Sequence, residues 1–426
     1  MIDPEIQRGK CRHYLPDKAN LSAFTHQGIK IGNIHGLKRE ESQQPLHNSD
    51  RLGVEAQGRA QDCIPFAVPT AGVYDLSAEY VDNGDDFQNP TMKVLVYEYI
   101  TGSGGAEMPS PSLAREGDAM LGALIDDLTE MPDLSLSVLR DSRLPKPVRA
   151  HATIAWHTIG LGDDAFDRFT TELGQTDAVW PIAPETAGIL EGLCQTVEST
   201  GKSLLTSPSS AVRIAASKHA TAETLKGQAI PVVPTVPWSP GLNASPYPFP
   251  VVVKADDGVG CEQTRIIRNA VQWDDLARHP AGRNCVLQPL IDGEPLSLSG
   301  LFAQGQAVLL SVNRQHIRQR HDTFVFDGCT VNAIDRAEGI FSKLLDRIAV
   351  ALPGLWGYAG IDLIRKGDDL TVLEINPRLT SSYPGLKPAL GINPARLVME
   401  LWQSGQLPRL PSLPLKPVGV IFEDNW

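Results

Sequence analysis

The spacing of apolar positions changes along this chain, and one stretch shows the most regular alternation. It runs Trp356-Gly357-Tyr358-Ala359-Gly360-Ile361-Asp362-Leu363-Ile364, then Arg365-Lys366-Gly367-Asp368-Asp369, then Leu370-Thr371-Val372-Leu373-Glu374-Ile375-Asn376-Pro377-Arg378. Two apolar runs flank a charged turn containing a glycine, which predicts a β-hairpin. With the turn centred near Asp368, Asp362 faces Glu374 and Gly360 faces Asn376 on one side. Ile361, Leu363, Leu373 and Ile375 then fall on the other side, against a core. Opposed residues bring Cβ atoms to roughly 4.5–5.5 Å, where like charges repel. Two carboxylates held that close call for a cation. Oxygen ligands from Asp362, Glu374 and Asn376, without a nearby thiolate or imidazole, suit Mg²⁺ better than Zn²⁺. The plain alternative is a solvated hairpin with scattered acids. The strict alternation, with Arg378 following at once, favours the metal site.

Upstream, residues 1–91 lack such periodicity. Stretches such as Arg39-Glu40-Glu41-Ser42-Gln43-Gln44-Pro45 are polar, and apolar residues come in short isolated groups. This predicts a poorly ordered N-terminal extension, with a small accessory domain as the alternative. Met92 is a far better domain start, so an over-long gene model is a further expectation.

From Met92 the pattern becomes that of an α/β protein. Lys93-Val94-Leu95-Val96-Tyr97-Glu98-Tyr99-Ile100 reads as a buried strand, left by the turn Thr101-Gly102-Ser103-Gly104-Gly105. Leu113, Met120, Leu121, Leu124, Ile125 and Leu128 then recur at helical spacing. Strands follow at residues 134–139 and 177–184, so strands alternate with helices in a small parallel domain. The glycine-rich turn fits either a phosphate site or simple backbone accommodation. Gly201-Lys202-Ser203 looks like the end of a P-loop, but Thr196 stands where the earlier glycine belongs. It reads instead as a helix end before a short strand.

A helix over residues 208–224 carries Lys218. The proline-dense stretch to Pro250 leads into the strand Val251-Val252-Val253-Lys254 and the loop Ala255-Asp256-Asp257-Gly258-Val259-Gly260-Cys261-Glu262. A lysine leaving a buried strand into such a loop can set a charge beside phosphates while loop N–H groups donate to them. A plain hairpin with its lysine in water is the alternative. More β-structure follows at residues 285–302 and 308–316, ending in the polar Asn313-Arg314-Gln315-His316. Helices are predicted over residues 338–351 and 388–404, before a proline-rich tail.

Composition narrows the function. Of 426 residues, 42% are hydrophobic and 21% charged, as in ordinary globular proteins. A net charge of −12 argues against general nucleic-acid binding. The six cysteines (11, 63, 194, 261, 285 and 329) include no CxxC pair and read as reduced thiols. No apolar run matches a membrane span, and the polar N-terminus lacks a signal-peptide core, so cytoplasm is the default. His316 and His321 lack the Glu and spacing of a zinc hydrolase.

Taken together, Lys218, Lys254 with its glycine loop, Gln288, Glu294, Asp362, Glu374, Asn376 and Arg378 resemble the ATP-grasp ligases in order and spacing. The resemblance covers roughly residues 92–405. It implies an α/β pre-ATP-grasp domain at 92–205 and an ATP-grasp fold of two α+β lobes at 206–405, divided near 285. Residues 406–426 are left as a C-terminal tail. The more specific similarity is to the tyramine–glutamate ligase group of methanofuran biosynthesis and its bacterial relatives in one-carbon metabolism. Residues 92–102, 254–262 and 311–317 carry it. The loop departs from many such lids in having only Gly258 and Gly260.

The resemblance implies ATP and Mg²⁺, with Mn²⁺ as an alternative, and an acyl phosphate attacked by an amine. Lys218 and Lys254 would meet the phosphates, and Asp257, Gly258, Gly260 and Glu262 would cover them. Gln288 and the Leu290 backbone would meet adenine, and Glu294 the ribose. Asp362, Glu374 and Asn376 would hold the metal, and Arg378 would stabilise the transferring phosphoryl group. Glutamate and tyramine or tyrosine follow as substrates from resemblance alone, with Arg314 and His316 as candidates for gripping a carboxylate. The partners implied are small molecules, without nucleic acid or membrane, and a homodimer is left open. The competing readings are a non-catalytic ATP-sensing module and a ligase for another amino acid or peptide. Intact acids and Arg378 favour an enzyme.

Overall fold

The computed structural model describes residues 92–422, apart from 106, 149–152, 240–241, 243, 262–263, 279–283 and 412–414. The expectations for residues 1–91, and those for Cys11, Cys63 and Glu262, lie outside the described residues. Residues Gln88–Trp426 form one compact unit.

The unit begins with a parallel sheet of five strands in the order β3-β2-β1-β4-β5. These are β1 Met92–Glu98, β2 Leu134–Asp141, β3 Ile154–Ile159, β4 Ala178–Ile182 and β5 Ser203–Leu204. Val94 to Tyr97 are at most 2% exposed, as expected of a central strand covered on both faces. Helix α1 (Pro111–Leu128) is started by the Ser110 side chain and a proline in its first turn. It covers one face, while α2 (Ala165–Leu173) and α3 (Ile189–Ser199) cover the other.

Helices α4 (Ser209–Ala216) and α5 (Lys218–Gly227) follow, separated by Ser217, whose extended backbone and side chain cap α5. The single helix expected here is thus two, and Lys218 opens the second. A small antiparallel sheet, in the order β6-β9-β7-β8, comes next. Its strands are β6 Val236–Pro237, β7 Val251–Ala255, β8 Arg265–Ile267 and β9 Cys285–Pro289, packed on α6 (Ala270–Arg278) through Trp273 and Leu276.

The largest sheet has six strands in the order β14-β13-β10-β11-β12-β15. They are β10 Glu294–Ala303, β11 Gln306–Arg320, β12 Thr323–Ile334, β13 Gly357–Lys366, β14 Asp369–Asn376 and β15 Val418–Ile421. Helix α7 (Gly339–Ala351) buries Phe341, Leu345 and Ile348 against one face. The other face shares its core with the parallel sheet and with α8 (Tyr383–Leu390) and α9 (Pro394–Ser404). Two departures from expectation stand out. The helix read at 388–404 breaks at Gly391, which adopts φ 71°. The proline-rich tail contributes β15, which pairs with the edge of β12 from Gly328 to Val331.

The β13–β14 hairpin pairs Asp362 with Glu374 and Gly360 with Asn376, as the alternation predicts. A register shift follows at once, so that Leu363 pairs with Val372. The shift moves Val372 into the core at 0% exposure, while Leu373 leaves it for the adjoining cleft. Leu373 is therefore not the core residue expected, because the bulge offsets the period-two pattern by one.

Glu98 joins this fold to a pH dependence. It ends β1 with 1% exposure and accepts from the backbone N–H groups of Ile100 and Thr101 and from the Thr101 hydroxyl. Gly117 of α1 passes over it so closely that a Cβ there would lie 2.8 Å from the Glu98 carboxyl. Burial pushes this carboxyl up to about 7 from an ordinary 4.5, against its hydrogen bonds. Between those values the folded protein keeps a proton that the unfolded chain has lost. Stability should therefore fall as pH rises from about 4.5 to about 7, by on the order of 3 kcal/mol. Glu98→Gln cannot ionise, so its stability relative to the native protein should improve across that window. Urea unfolding of both proteins at pH 5 and pH 8 checks this, and parallel losses would contradict it.

Candidate active site

A cleft of about 1560 Å³ lies where the three sheets meet, and it collects most of the residues singled out from the sequence. Lys254, Gly260, Gln288 and Leu290 line it from the small sheet, and Asp362, Glu374, Asn376 and Arg378 from the large one. Glu98 and Glu116 reach it from the first domain. Gln288 is 3% exposed and donates to Thr235 Oγ1 at 2.9 Å, so its amide is held in place. The Leu290 N–H is already engaged with the Pro250 carbonyl at 3.2 Å.

At the centre stand Asp362 and Glu374, paired across the hairpin and both lining the cleft. Burial first, and then the Glu374 charge, hold the Asp362 carboxyl well above the usual range. Burial pushes Glu374 the same way, but Lys218 and Lys254 outweigh it and bring Glu374 down. Their Nζ atoms lie 3.4 and 3.6 Å from Glu374 Oε2. Asn376 Nδ2 donates to Asp362 Oδ2 at 3.3 Å, and Gln315 Nε2 donates to Oδ1 at 2.9 Å. Among the described residues no three His, Cys, Asp or Glu side chains group as a metal site. The third ligand read from the sequence is the Asn376 amide. The two carboxylates and the oxygen of that amide form an all-oxygen donor set, which suits a hard divalent cation.

The lysines differ in placement. Lys254 lines the cleft, and burial pulls its ammonium below the ordinary range despite Glu374. Lys218 lies behind Glu374, beside a cavity of about 10 Å³ that also touches Glu185 and Gly258. Its Nζ donates to the Gly258 carbonyl at 2.6 Å. Asp257 is turned towards the first domain, where its carboxylate accepts from the Ala187 N–H at 2.8 Å.

Parity along the strands separates two further groups from the cleft. Glu294 shares a face of β10 with the core residues Leu296 and Leu298, and its carboxylate takes the Arg314 Nε at 2.6 Å. Gly293 and Pro295 line the cleft instead. Arg314 pairs across from Leu296 on that same face, and His316 meets Thr330 Oγ1 at 3.0 Å. Gln315, between them, lines the cleft.

Two functional candidates were missed from the sequence. Gln315 could have been found by counting from Val312, an apolar residue of the opposite face. Glu185 carried no local signal. It lies 193 residues before Arg378, and both its carboxylate oxygens accept from Arg378 Nε at 3.0 Å. Burial alone would lower the Arg378 guanidinium, but the Glu185 charge outweighs it and raises it.

Comparison with known proteins places this geometry. Residues 215–382 match the ATP-grasp domain, and residues 134–212 match the pre ATP-grasp 3 domain. The chain is 32% identical over 207 residues to the tyramine–L-glutamate ligase of Methanocaldococcus jannaschii, covering 48% of this chain and 57% of that protein. With the tyramine–L-glutamate ligase of Methanocaldococcus fervens it shares 26% over 297 residues, 69% of this chain and 89% of that one. An ATP-grasp superfamily protein from Archaeoglobus fulgidus superposes with a TM-score of 0.57 at 22% identity, covering 72% of this chain and 88% of its own. The fold expected from the sequence, a pre-ATP-grasp domain before an ATP-grasp domain, is thereby met. Among the described residues no helix is long and apolar enough to cross a membrane.

Because Gln315 holds one oxygen of Asp362, Gln315→Leu should raise the Mg²⁺ concentration needed for nucleotide binding roughly 10-fold. Calorimetric titration of nucleotide at graded Mg²⁺ measures this, and an unchanged Mg²⁺ requirement would exclude the role.

Proposed function

We propose that this chain, whose residues 215–382 match an ATP-grasp domain, is an ATP-dependent ligase joining a carboxylate to an amine. The observation that carries this is the opposed Asp362–Glu374 pair, with Lys254 and Arg378 beside it in one cleft. The named activity of the two Methanocaldococcus relatives supports L-glutamate as the acid and tyramine as the amine, with tyrosine as the alternative amine carried over from the sequence reading.

The chemistry runs in two balanced steps. A carboxylate oxygen of the acid attacks the γ-phosphorus of ATP, forming a C–O–P linkage as the bond to the β-phosphate oxygen breaks and ADP departs. The amine nitrogen then attacks the acyl carbon, the C–O bond breaks, phosphate leaves, and the nitrogen gives up a proton. Asp362, Glu374 and Asn376 would hold Mg²⁺, or Mn²⁺ in its place, which supplies neutralising charge to the transferring phosphoryl group. Lys254 meets the phosphates as a compact charge. For Lys218 to do the same it must leave Gly258 and Glu374. Gln288 and the Leu290 segment receive the adenine. Arg378 stabilises charge on the moving phosphoryl group. Val259, Gly260 and Cys261, which line the cleft, exclude water that would hydrolyse the acyl phosphate.

Arg378→Ala should lower kcat on the order of 10²-fold or more, since a buried cation aimed at developing charge contributes several kcal/mol. ADP release from Mg·ATP, measured across pairs of acids and amines, tests the whole reading. Turnover requiring L-glutamate together with tyramine or tyrosine is expected. Silence with every pair would leave the ligase reading without support, as would an Arg378→Ala variant with native turnover.

A further inference from the structure

Three consecutive residues of the first domain touch two parts of the active site at once. The chain leaves β4 and passes through Glu185, Thr186 and Ala187 before α3. Glu185 is 5% exposed, and its pairing with Arg378 uses Nε and Nη2, the latter 3.0 Å from Oε2. Immediately afterwards, Thr186 Oγ1 donates to the Asp257 carbonyl at 3.0 Å, and the Ala187 N–H donates to Asp257 Oδ2 at 2.8 Å. Ala187 adopts φ 56° and ψ 22°, a left-handed conformation that costs a residue with a Cβ roughly 1–2 kcal/mol. Such strain persists only where surrounding contacts over-determine it, and here the contact is with Asp257.

The donor count on Arg378 explains what this pairing does. A guanidinium has five N–H groups in a rigid plane. Nε–H is shared between both Glu185 oxygens, with Nη2 at ion-pair distance from Oε2, and one N–H of Nη1 goes to the Leu379 carbonyl at 3.0 Å. Three N–H groups remain outside these hydrogen bonds. Pairing one edge of a planar group sets where the other edge points. The root of the glycine loop is held from its second side by α5. Lys218 N–H donates to the Asp256 carbonyl at 3.1 Å, and His219 N–H to Asp256 Oδ1 at 2.8 Å.

We infer that Glu185, Thr186 and Ala187 form a strap by which the first domain sets both Arg378 and the loop that begins at Asp257. Glu185 is then a positioning residue acting through Arg378. Asp257 shapes the loop and does not contact the nucleotide. The kinetic part of this inference rests on the ligase reading, whereas the contacts can be tested without it.

The test compares Glu185→Ala, which removes both acceptor oxygens, with Glu185→Gln, which keeps one. Expected is a kcat at least 10-fold lower for Glu185→Ala, a smaller loss for Glu185→Gln, and KM for ATP within about 2-fold in both. Glu185→Ala with native kcat, or equal losses in the two variants, would overturn the positioning role. A second readout needs no turnover. In protein labelled with ¹⁵N-arginine, the Arg378 Nε–H signal, assigned by its loss in Arg378→Lys, should exchange with solvent slowly. In Glu185→Ala exchange should be at least 10-fold faster, and an unchanged rate would overturn the inference. If the native protein makes no ADP with glutamate and tyramine, the substrate reading fails while this exchange measurement still decides the strap. Should Glu185→Ala not fold, Thr186→Val removes only the hydroxyl bond to Asp257. It is expected to raise the dissociation constant of Mg·ATP severalfold, and unchanged binding would count against the strap.

Discussion

The repulsion between Asp362 and Glu374 is the constraint around which the rest of the structure is arranged. Two unit charges about 4 Å apart repel by roughly 4 kcal/mol at the effective dielectric of a partly buried site. Adjacent antiparallel strands put them opposite each other, and the bulge directly after Asp362 keeps that pairing while the rest of the hairpin follows another register. The fold relieves the repulsion locally. Burial and the Glu374 charge hold the Asp362 carboxyl above the usual range, two ammonium groups approach Glu374, and two amides donate to Asp362. Each of those groups comes from a different element, which is why the site forms only where β11, α5, β7 and the hairpin converge.

That convergence explains the size of the shared core. The parallel sheet, the large sheet and the two helices after Arg378 bury one continuous cluster, so the first domain and the large sheet share a core. Tyr383 and Lys387 of α8 reach Asp127 of α1 at 2.8 and 3.1 Å, adding polar registration to the apolar contact. Glu185 and Glu116 use this rigid junction to enter the cleft region from the first domain. Glu116 takes the Ser381 hydroxyl at 2.5 Å, three residues beyond Arg378. A domain that could have been read as a mere neighbour thus supplies part of the wall and the brace on Arg378.

Alternation made the hairpin legible in the sequence, because period two is readable wherever one face is apolar. The parallel sheet was legible for the related reason that Val94-Leu95-Val96-Tyr97 is apolar on both faces. The readings that the cleft does not collect share a cause. Glu294, Arg314 and His316 drew attention as charged or titratable residues, but they sit on the α7 side of their strands, with Leu296, Leu298 and Val312. Their neighbours Pro295 and Gln315 have the cleft parity. Leu373 and Val372 exchanged places through a bulge, which leaves no trace in composition. The strand at 418–421 is four residues directly after Pro417, and its pairing depends on an edge of β12 that no local pattern announces. Glu185 was invisible because its partner lies in another domain.

The charges of the cleft are already balanced within the protein, and this shapes how it can receive a nucleotide. Glu374 is matched by two lysines and Arg378 by Glu185, so neither of these charges is buried without a partner, which would otherwise cost several kcal/mol. A triphosphate arriving with a divalent cation brings both signs at once. On the proposed reading, Glu374 and Asp362 would hold the cation and Lys254 would meet the phosphates, so that partners would be exchanged with the total balance kept. Arg378 is the exception: Glu185 engages its Nε edge, which leaves N–H groups of Nη1 and Nη2 outside that pairing and, on the proposed reading, available to charge developing on the phosphoryl group.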